Sequence, residues 1–145
     1  MAHSYRCNYG HLVFHVENVD IYTENLKRVH CYLRETAMQL GVQNVVVGGT
    51  NDHVHMLGNF PVTEALCNVV KKIKAYSSHW ISHLHSRYTR FSWQSGYGYF
   101  SVSASHFPRV AQYIANQEEH HRHMTALEEY ERLIAKYSQV WENDA

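Results

Sequence analysis

Four stretches of the chain show the patterning of β-strands, in which apolar residues alternate with others or β-branched residues follow one another. In the first stretch, Leu12, Phe14 and Val16 fall on one face. A turn rich in Gly, Asn and Asp separates the second and third stretches, which predicts that these two strands form a hairpin. The predicted strands are residues 11–16, 42–48, 53–60 and 97–103.

Between and after these strands, apolar residues recur every three or four positions, the period of a helix with one buried side. Gly41 marks the end of the first predicted helix, and Ser105 is the predicted N-cap of the third. The C-terminal segment has an apolar stripe that we expect to pack on the sheet or on a second subunit, with no chemical role. The predicted helices are residues 20–40, residues 61–85, a helix from residue 105 with Phe107, Val110, Ala111 and Ile114 inward, and a last helix with Leu127, Tyr130, Ile134, Tyr137 and Trp141 inward.

The resulting order of elements is β-α-β-β-α-β followed by C-terminal helices. This order predicts an α+β protein of ferredoxin-like (RRM-like) architecture, an antiparallel four-stranded sheet with two helices on one face. No linker, repeat or low-complexity stretch interrupts the 145 residues, so we expect residues 1–145 to form a single domain. The fold by itself fixes no function, because unrelated activities share it.

Composition narrows the setting in which the protein works. No apolar run approaches the roughly 18 residues of a membrane span, and the N-terminus has no pattern of a signal peptide. The three cysteines form no C-x-x-C pair, which favours a reducing cytoplasm over a disulfide framework. Thirteen Lys and Arg balance thirteen Asp and Glu. Any nucleic-acid site must therefore be local, and we expect binding to have a shallow salt dependence.

His53 and His55 lie on the third predicted strand with Val54 between them. Alternate residues of a strand point to the same face, about 7 Å apart at ~3.3 Å per residue. The two imidazoles can therefore converge on one metal ion while Val54 enters the core. In a chain with thirteen histidines an H-x-H sequence can also arise by chance, so the pair alone is a weak signal.

Tyr113 and Gln117 are spaced i, i+4 and fall on one face of a helix, one turn apart. Tyr113 is displaced from the inner apolar stripe, although a tyrosine packed at the edge of the stripe would show the same pattern. Gln117 fits a solvated surface position equally well. His120 and His121 follow, and we expect them on the surface or behind a metal site rather than as ligands.

Together the two motifs predict one chemistry. A tyrosine oxygen can attack a DNA phosphate, displace the sugar oxygen and form a phosphotyrosine bond. A phenol has a pKa of about 10, so phenolate leaves more readily than an alkoxide and the bond can be reversed without ATP. A divalent cation, Mg²⁺ or Mn²⁺, would draw off phosphate charge. His53 and His55 would supply two ligands to this ion and Gln117 a third.

Four segments, NDHVHML, KKIKAYSSHWI, WQSGYGYFSVS and YIANQEEHH, resemble in this order the single-tyrosine transposases of small bacterial insertion sequences (IS200/IS605-like). These enzymes belong to the HUH endonuclease superfamily. The resemblance spans nearly the whole chain and implies that His53, His55 and Gln117 bind the metal and that Tyr113 is the nucleophile. It also implies excision and insertion of single-stranded DNA, recognition of terminal hairpins, and a homodimer in which one subunit's tyrosine helix can serve the other's histidines.

Two groups of residues are further candidates for DNA contact. Lys71, Lys74 and Ser78 fall on neighbouring turns of the second helix, where they can meet hairpin phosphates or simply form its solvated face. Arg87 and Arg90 belong to a loop that either stacks on bases of single-stranded DNA or anchors itself in the core. The aromatic residues interleaved with them are Tyr88, Phe91 and Trp93.

Other functions remain open at this stage. A domesticated enzyme that processes chromosomal palindromes, or a replication or transfer initiator, would share the chemistry. A noncatalytic module that binds single-stranded nucleic acid shares the fold, but it usually carries aromatic residues where this chain has histidines. A structural metal-binding protein would leave Tyr113 and Gln117 without a role.

Overall fold

A computed structural model describes residues 4–117 and 124–144, with side chains up to residue 136, and its elements follow the predicted order. Two short 3₁₀ helices, Ser86–Tyr88 and Ala104–His106, lie in the loops. Among the described residues, no helix is both long and apolar enough to cross a membrane. The strands and helices are β1 (Tyr9–His15), α1 (Thr23–Gln39), β2 (Gln43–Gly49), β3 (His53–Asn59), α2 (Leu66–Ser82), β4 (Gly98–Ser101), α3 (Phe107–Ala115) and α4 (Ala126–Asp144).

The four strands form one sheet in the order β2-β3-β1-β4, and every neighbouring pair is antiparallel. Strands β1 and β3 are therefore central, and each is hydrogen-bonded on both edges. This topology confirms the α+β, ferredoxin-like prediction. It also places β3, which carries the histidine pair, where the backbone is held most firmly.

One face of the sheet forms the main apolar core with α1 and α2. The pairing of β1 with β3 sets Leu12 opposite Met56 and Phe14 opposite Val54, and all four side chains are buried. Because strand side chains alternate, the residues between them must point to the other face. The helices complete this core with Leu26, Val29, Leu33, Ala37, Val69, Val70, Ile73 and Ile81.

The other face of the sheet carries histidines and is covered by α3 and α4. Here β1 contributes His11 and His15, and β3 contributes His53 and His55. A smaller apolar cluster of Leu57, Val102 and Ile114, with partly buried neighbours that include Tyr113, packs α3 onto this face. The sheet therefore separates an apolar layer from a layer that holds titratable groups.

Gly48 of β2 allows α3 to approach the sheet closely. A Cβ atom at this position would lie 2.3 Å from the carbonyl oxygen of Ile114 and 2.7 Å from its Cγ2. Real Cβ atoms do not approach that closely, so any larger residue must push α3 outward. The last turn of α3 carries Tyr113, so this contact also positions the candidate nucleophile.

We expect Gly48→Ala to lower the free energy of unfolding by about 1–3 kcal/mol, measured by urea titration, because it overpacks this contact. Without the clash, alanine in a strand interior would stabilise by about 0.5–1 kcal/mol relative to glycine. A more stable variant would therefore show that α3 does not rest on Gly48.

Three sequence predictions are wrong in detail. Helix α2 begins at Leu66 rather than near Pro61, because Ala65 has extended backbone angles. Ser105 is not an N-cap: it lies inside a 3₁₀ helix, and α3 begins at Phe107 with a proline in its first turn. The predicted inner stripe of α4 is wrong at Leu127 and Ile134, which are 65% and 44% exposed, whereas Tyr130 is partly buried and packs its ring against His15. The side chains of the other predicted stripe residues, Tyr137 and Trp141, lie outside the described residues.

Candidate active site

His53 and His55 both point into the space between the sheet and α4, as the period of the strand requires. Their side chains are fully shielded from solvent. The Nε2 atom of His53 lies 3.5 Å from Oε1 of Glu129, and that of His55 lies 2.6 Å from the same oxygen. One nitrogen of each ring is thus directed at a common point.

The other nitrogen of His53 is held by the turn that precedes β3. Its Nδ1 donates to Oδ1 of Asp52 at 2.8 Å, and the hydroxyl of Thr50 lies 2.9 Å away. A hydrogen bond from Nδ1 to a carboxylate fixes the ring orientation and leaves Nε2 to face a ligand. The Asn51-Asp52 turn therefore orients the His53 ring so that its Nε2 faces Glu129.

The other nitrogen of His55 is held by His11 of β1. The Nδ1 of His55 and the Nε2 of His11 are 2.6 Å apart, and both rings are buried. Burial, together with the charge on His55, lowers the pKa of His11 to about 3, so His11 is neutral. A neutral His11 can accept the Nδ1 hydrogen of His55, which leaves Nε2 of His55 to face Glu129.

Glu129 lies at the centre of the cluster and was missed by the sequence analysis, which assigned α4 no chemical role. It is 3% exposed and meets both histidines. Although burial opposes ionisation, hydrogen bonds from His53 and His55 hold its pKa far below its usual range. The available signal was a carboxylate three residues after Ala126 and four before Leu133, on the face that α4 buries.

Tyr113 and Gln117 reach the same carboxylate from α3 and the residues just after it. The Tyr113 hydroxyl donates to Oε2 of Glu129. Gln117 is buried, accepts from Nε2 of His53 at 3.0 Å through Oε1, and donates to Oε2 of Glu129 at 3.2 Å. The i, i+4 pair and the histidine pair thus meet in one place within one chain.

The hydrogen bonds in this cluster determine its charge. Burial works against a charge on His53, but hydrogen bonds to Asp52, Glu129 and Gln117 prevail and raise its pKa to about 9. Burial and the neighbouring Glu129 raise the pKa of Tyr113 above its ordinary value. The phenol is therefore protonated at neutral pH, and the imidazolium of His53 neutralises Glu129.

The same cluster has the donor set of a metal site. One ligand atom from each of His53, His55 and Glu129 can be chosen so that all lie within 4.8 Å of one another. The amide oxygen of Gln117 is a further oxygen donor beside His53. Two imidazoles with oxygen ligands suit Mn²⁺ better than Mg²⁺, which prefers an all-oxygen shell. The residues present therefore fit a divalent cation.

Residues 3–117 match the family described as "Transposase IS200 like". The match covers most of the chain and includes the histidine pair, Tyr113 and Gln117. The chain belongs to the IS200-like transposase family. No protein with a curated description matches it. Glu129 and the rest of α4 lie beyond the residues that match the family.

Two solved structures resemble this IS200-like transposase in fold. One is a candidate transposase from Deinococcus radiodurans R1, with 22% identity and a TM-score of 0.60 over 81% of this chain and 95% of that one. The other is a REP-associated tyrosine transposase bound to a REP hairpin, with 12% identity and a TM-score of 0.59 over 83% of this chain and 73% of that one. At these identities the likeness concerns the fold, and it agrees with the ferredoxin-like sheet.

The predicted DNA contacts on α2 lie in the helical layer, on the side of the sheet away from the histidine cluster. Lys71 is exposed, and the Ser78 hydroxyl donates to the carbonyl oxygen of Ala75 in its own helix. Lys74 is partly buried and donates to the carbonyl oxygens of Gln94 and Gly96 at 2.9 and 2.5 Å. Lys74 therefore ties the 94–96 loop to α2, which leaves fewer of its ammonium hydrogens to donate to phosphates.

The loop that carries Arg87 and Arg90 is anchored in the core. The Arg87 guanidinium lies over the ring of Tyr22, with its carbon 4.2 Å from the ring centroid, and Arg90 is exposed. The interleaved aromatic rings are packed inside and cannot stack on bases, which favours the anchoring alternative over the stacking one. The buried rings are Tyr88, Phe91 and Trp93. His120 and His121 lie outside the described residues.

We expect His11→Phe to weaken Mn²⁺ binding by about 10- to 100-fold in isothermal titration calorimetry, the usual effect of losing a partner behind a metal ligand. Phenylalanine keeps the ring but cannot accept the Nδ1 hydrogen of His55. His83→Phe, an exposed position on the far side of the sheet, is the matched control. Equal Mn²⁺ affinity in both variants would contradict this role of His11.

Proposed function

We propose that this transposase cleaves and rejoins single-stranded DNA through a 5′-phosphotyrosine intermediate, with Tyr113 as nucleophile and His53, His55 and Gln117 as metal ligands. To this ligand set we add Glu129. The observation that carries the proposal is the convergence of Tyr113, Gln117, His53 and His55 on the carboxylate of Glu129. The Tyr113 hydroxyl is bonded to Oε2 of Glu129, and both histidines contact Oε1. A tyrosine that only packs in the core would not require a hydrogen bond to a carboxylate that two histidines also contact.

The reaction exchanges one phosphodiester for another. The oxygen of Tyr113 attacks the scissile phosphorus, the new O–P bond forms, and the bond to the 3′ oxygen breaks. The hydroxyl proton of Tyr113 leaves as the bond forms, and the departing 3′ oxygen takes up a proton. In the reverse sense, a 3′-hydroxyl of the same or another strand displaces Tyr113, so joining needs no ATP.

Tyr113 must be oriented and activated for this attack. Glu129 accepts its hydrogen bond and fixes the direction of the phenol oxygen, but the strongly depressed pKa of Glu129 makes it a weak base. Burial and Glu129 keep the pKa of Tyr113 above its ordinary value, and the positive charge of Arg132 offsets a part of that rise. Arg132 therefore stabilises the phenolate form of Tyr113, and it attracts the anionic phosphate that Tyr113 attacks.

A divalent cation held by His53, His55, Glu129 and Gln117 would neutralise charge on the phosphate. The ligand side chains are preorganised by their neighbours. Asp52 and His11 set the ring orientations of the histidines, and burial keeps bulk water from competing for them. We propose Mg²⁺ or Mn²⁺ as the ion.

The proposed substrate is the single-stranded form of a mobile element, recognised through hairpins near its ends. The fold relative bound to a REP hairpin supports a hairpin partner. We further propose that residues 1–145 act as one HUH transposase domain in the cytoplasm and as a homodimer. Because Tyr113 and the histidines meet within one chain, an active site can assemble without exchange of the tyrosine helix.

A noncatalytic nucleic-acid-binding module of the same fold is the alternative from another class. Such modules stack bases on the open face of the sheet. In this protein that face carries His11, His53 and His55, which are at most 3% exposed beneath α3 and α4. The closed face disfavours the alternative.

The test is incubation of the purified protein with end-labelled single-stranded DNA that contains the hairpins flanking its own gene. Samples with Mn²⁺, Mg²⁺ or EDTA are compared on a denaturing gel. We expect a covalent protein–DNA adduct with either metal and none with EDTA, and adding a 3′-hydroxyl strand should yield a joined product. Hairpin binding without an adduct in any metal would overturn the proposal and favour the noncatalytic module.

A further inference from the structure

A cleft of about 430 Å³ opens between α3 and α4 beside Tyr113. Three cationic side chains line it, Arg109 from α3 and Arg132 and Lys136 from α4. Among the described residues that line the cleft, Glu129 is the one acidic residue, and it is engaged by the histidines. In a chain with no net charge, this is a local concentration of positive charge.

The arrangement of these cations follows from the helix that carries two of them. Glu129, Arg132 and Lys136 are spaced i, i+3 and i+7, so they lie on one face of α4. Arg132 and Lys136 are about 6 Å apart along the helix axis, a separation comparable to that between successive phosphates of one strand. Both are exposed, whereas Glu129 is buried.

The rest of the cleft suits the other parts of a nucleotide. Its apolar wall is made by Val110, Met124 and Leu133, which can pack against sugars and base edges. His11 and the hydroxyl-bearing Tyr113 close its inner end. A single strand that enters along Lys136 and Arg132 would therefore arrive with a phosphate at Tyr113.

We propose that the cleft formed by Arg109, Arg132 and Lys136 binds the backbone phosphates of single-stranded DNA next to the phosphate that Tyr113 attacks. This inference deepens the proposed function and rests on it. It differs from the predicted contacts on α2 and at Arg87 and Arg90, which lie on other surfaces. Helix α4 then couples DNA to the metal site, because one helix carries both Arg132 and Glu129.

The test uses a fluorescein-labelled dT12 oligonucleotide, which has no hairpin, and fluorescence anisotropy in EDTA so that no cleavage occurs. The cleft variant is Arg109→Gln, Arg132→Gln, Lys136→Gln. The matched control is Lys27→Gln, Arg28→Gln, Arg34→Gln on α1, which removes the same charge from the far side of the sheet. Thermal unfolding confirms that both variants fold.

We expect the cleft variant to bind dT12 about tenfold or more weakly in low salt, and the control to stay within about twofold of wild type. Loss of three phosphate contacts should also reduce the slope of log K against log salt by about 2, since each contact to a single strand contributes about 0.7. A purely structural role would not change this slope. Wild-type affinity in the cleft variant, or no binding of dT12 by the wild type, would overturn the inference.

Adduct formation on hairpin DNA separates this inference from the proposed function. If the cleft variant binds dT12 normally while the wild type still forms the adduct, the cleft assignment is wrong and the reaction stands. If dT12 binding depends on the cleft but the wild type forms no adduct in either metal, the DNA site stands and the proposed reaction is wrong.

Discussion

Tyr113→Phe is expected to abolish the covalent protein–DNA adduct and to lower strand cleavage by about 10⁴-fold or more, the scale of loss when a nucleophile is removed. The substitution deletes one oxygen, which in the native protein donates to Glu129. The ring remains to pack with His55, whose centroid lies 5.9 Å away. Hairpin binding, measured by anisotropy, should therefore change by less than about twofold.

The matched control for this variant is Tyr9→Phe. Tyr9 is also half-buried and packs on α3 through Phe107, with ring centroids 5.0 Å apart, but it is not part of the histidine cluster. We expect it to form the adduct at the wild-type rate. Loss of one hydrogen bond in Tyr113→Phe should cost only about 1 kcal/mol of stability, so misfolding would not explain its inactivity. An adduct that persists in Tyr113→Phe would show that another side chain attacks the phosphate.

The double variant His53→Gln, His55→Gln is expected to lose measurable Mn²⁺ binding in calorimetry and to lower cleavage by about 10³-fold or more. Both ring nitrogens that face Glu129 are removed. Glutamine is chosen over alanine because it can still donate to Glu129, and a buried carboxylate left without partners would cost about 3–5 kcal/mol. Thermal unfolding without metal checks that the variant is folded.

His79→Gln, His83→Gln is the matched control for the histidine pair. His79 lies in the last turn of α2, and His83 is the residue that caps the helix, one turn later. Both take part in local hydrogen bonds at this end of the helix. We expect wild-type Mn²⁺ affinity and cleavage from this control. Retained Mn²⁺ binding in the His53→Gln, His55→Gln variant would place the metal elsewhere and contradict the ligand assignment.

The part of the site that could be predicted from sequence is the part determined by local periodicity. His53 and His55 share a face because a strand has a period of two, and Tyr113 and Gln117 share one because a helix turns every 3.6 residues. The turn before His53 was also recognisable. In each case the direction of the side chain follows from its own element and its near neighbours in sequence.

Glu129 and His11 could not be predicted in the same way because their roles depend on tertiary packing. His11 meets His55 only because β1 pairs with β3 in one register. Glu129 meets the histidines because α4 docks with Ala126 and Glu129 inward, whereas hydrophobicity alone favoured Leu127 and Ile134. The apolar stripe therefore predicted the wrong rotation of α4, and Glu129 was not predicted as a site residue.

The candidate DNA contacts could not be located from the sequence for the same reason. A run of lysines on α2 is visible in the sequence, but its distance from the histidine cluster is set by the sheet that lies between them. The cations of the cleft are far apart in sequence, since Arg109 belongs to α3 and Arg132 and Lys136 to α4. Only the packing of these helices brings them to Tyr113.

The central claim is tested most directly by mass spectrometry of the adduct after digestion with nuclease and trypsin. Trypsin should release residues 110–122, in which Tyr113 is the one tyrosine. We predict that this peptide carries a nucleotide joined through its 5′ phosphate to the Tyr113 oxygen. A nucleotide on any other residue, or cleaved DNA with a free 5′ phosphate and no modified peptide, would contradict the account.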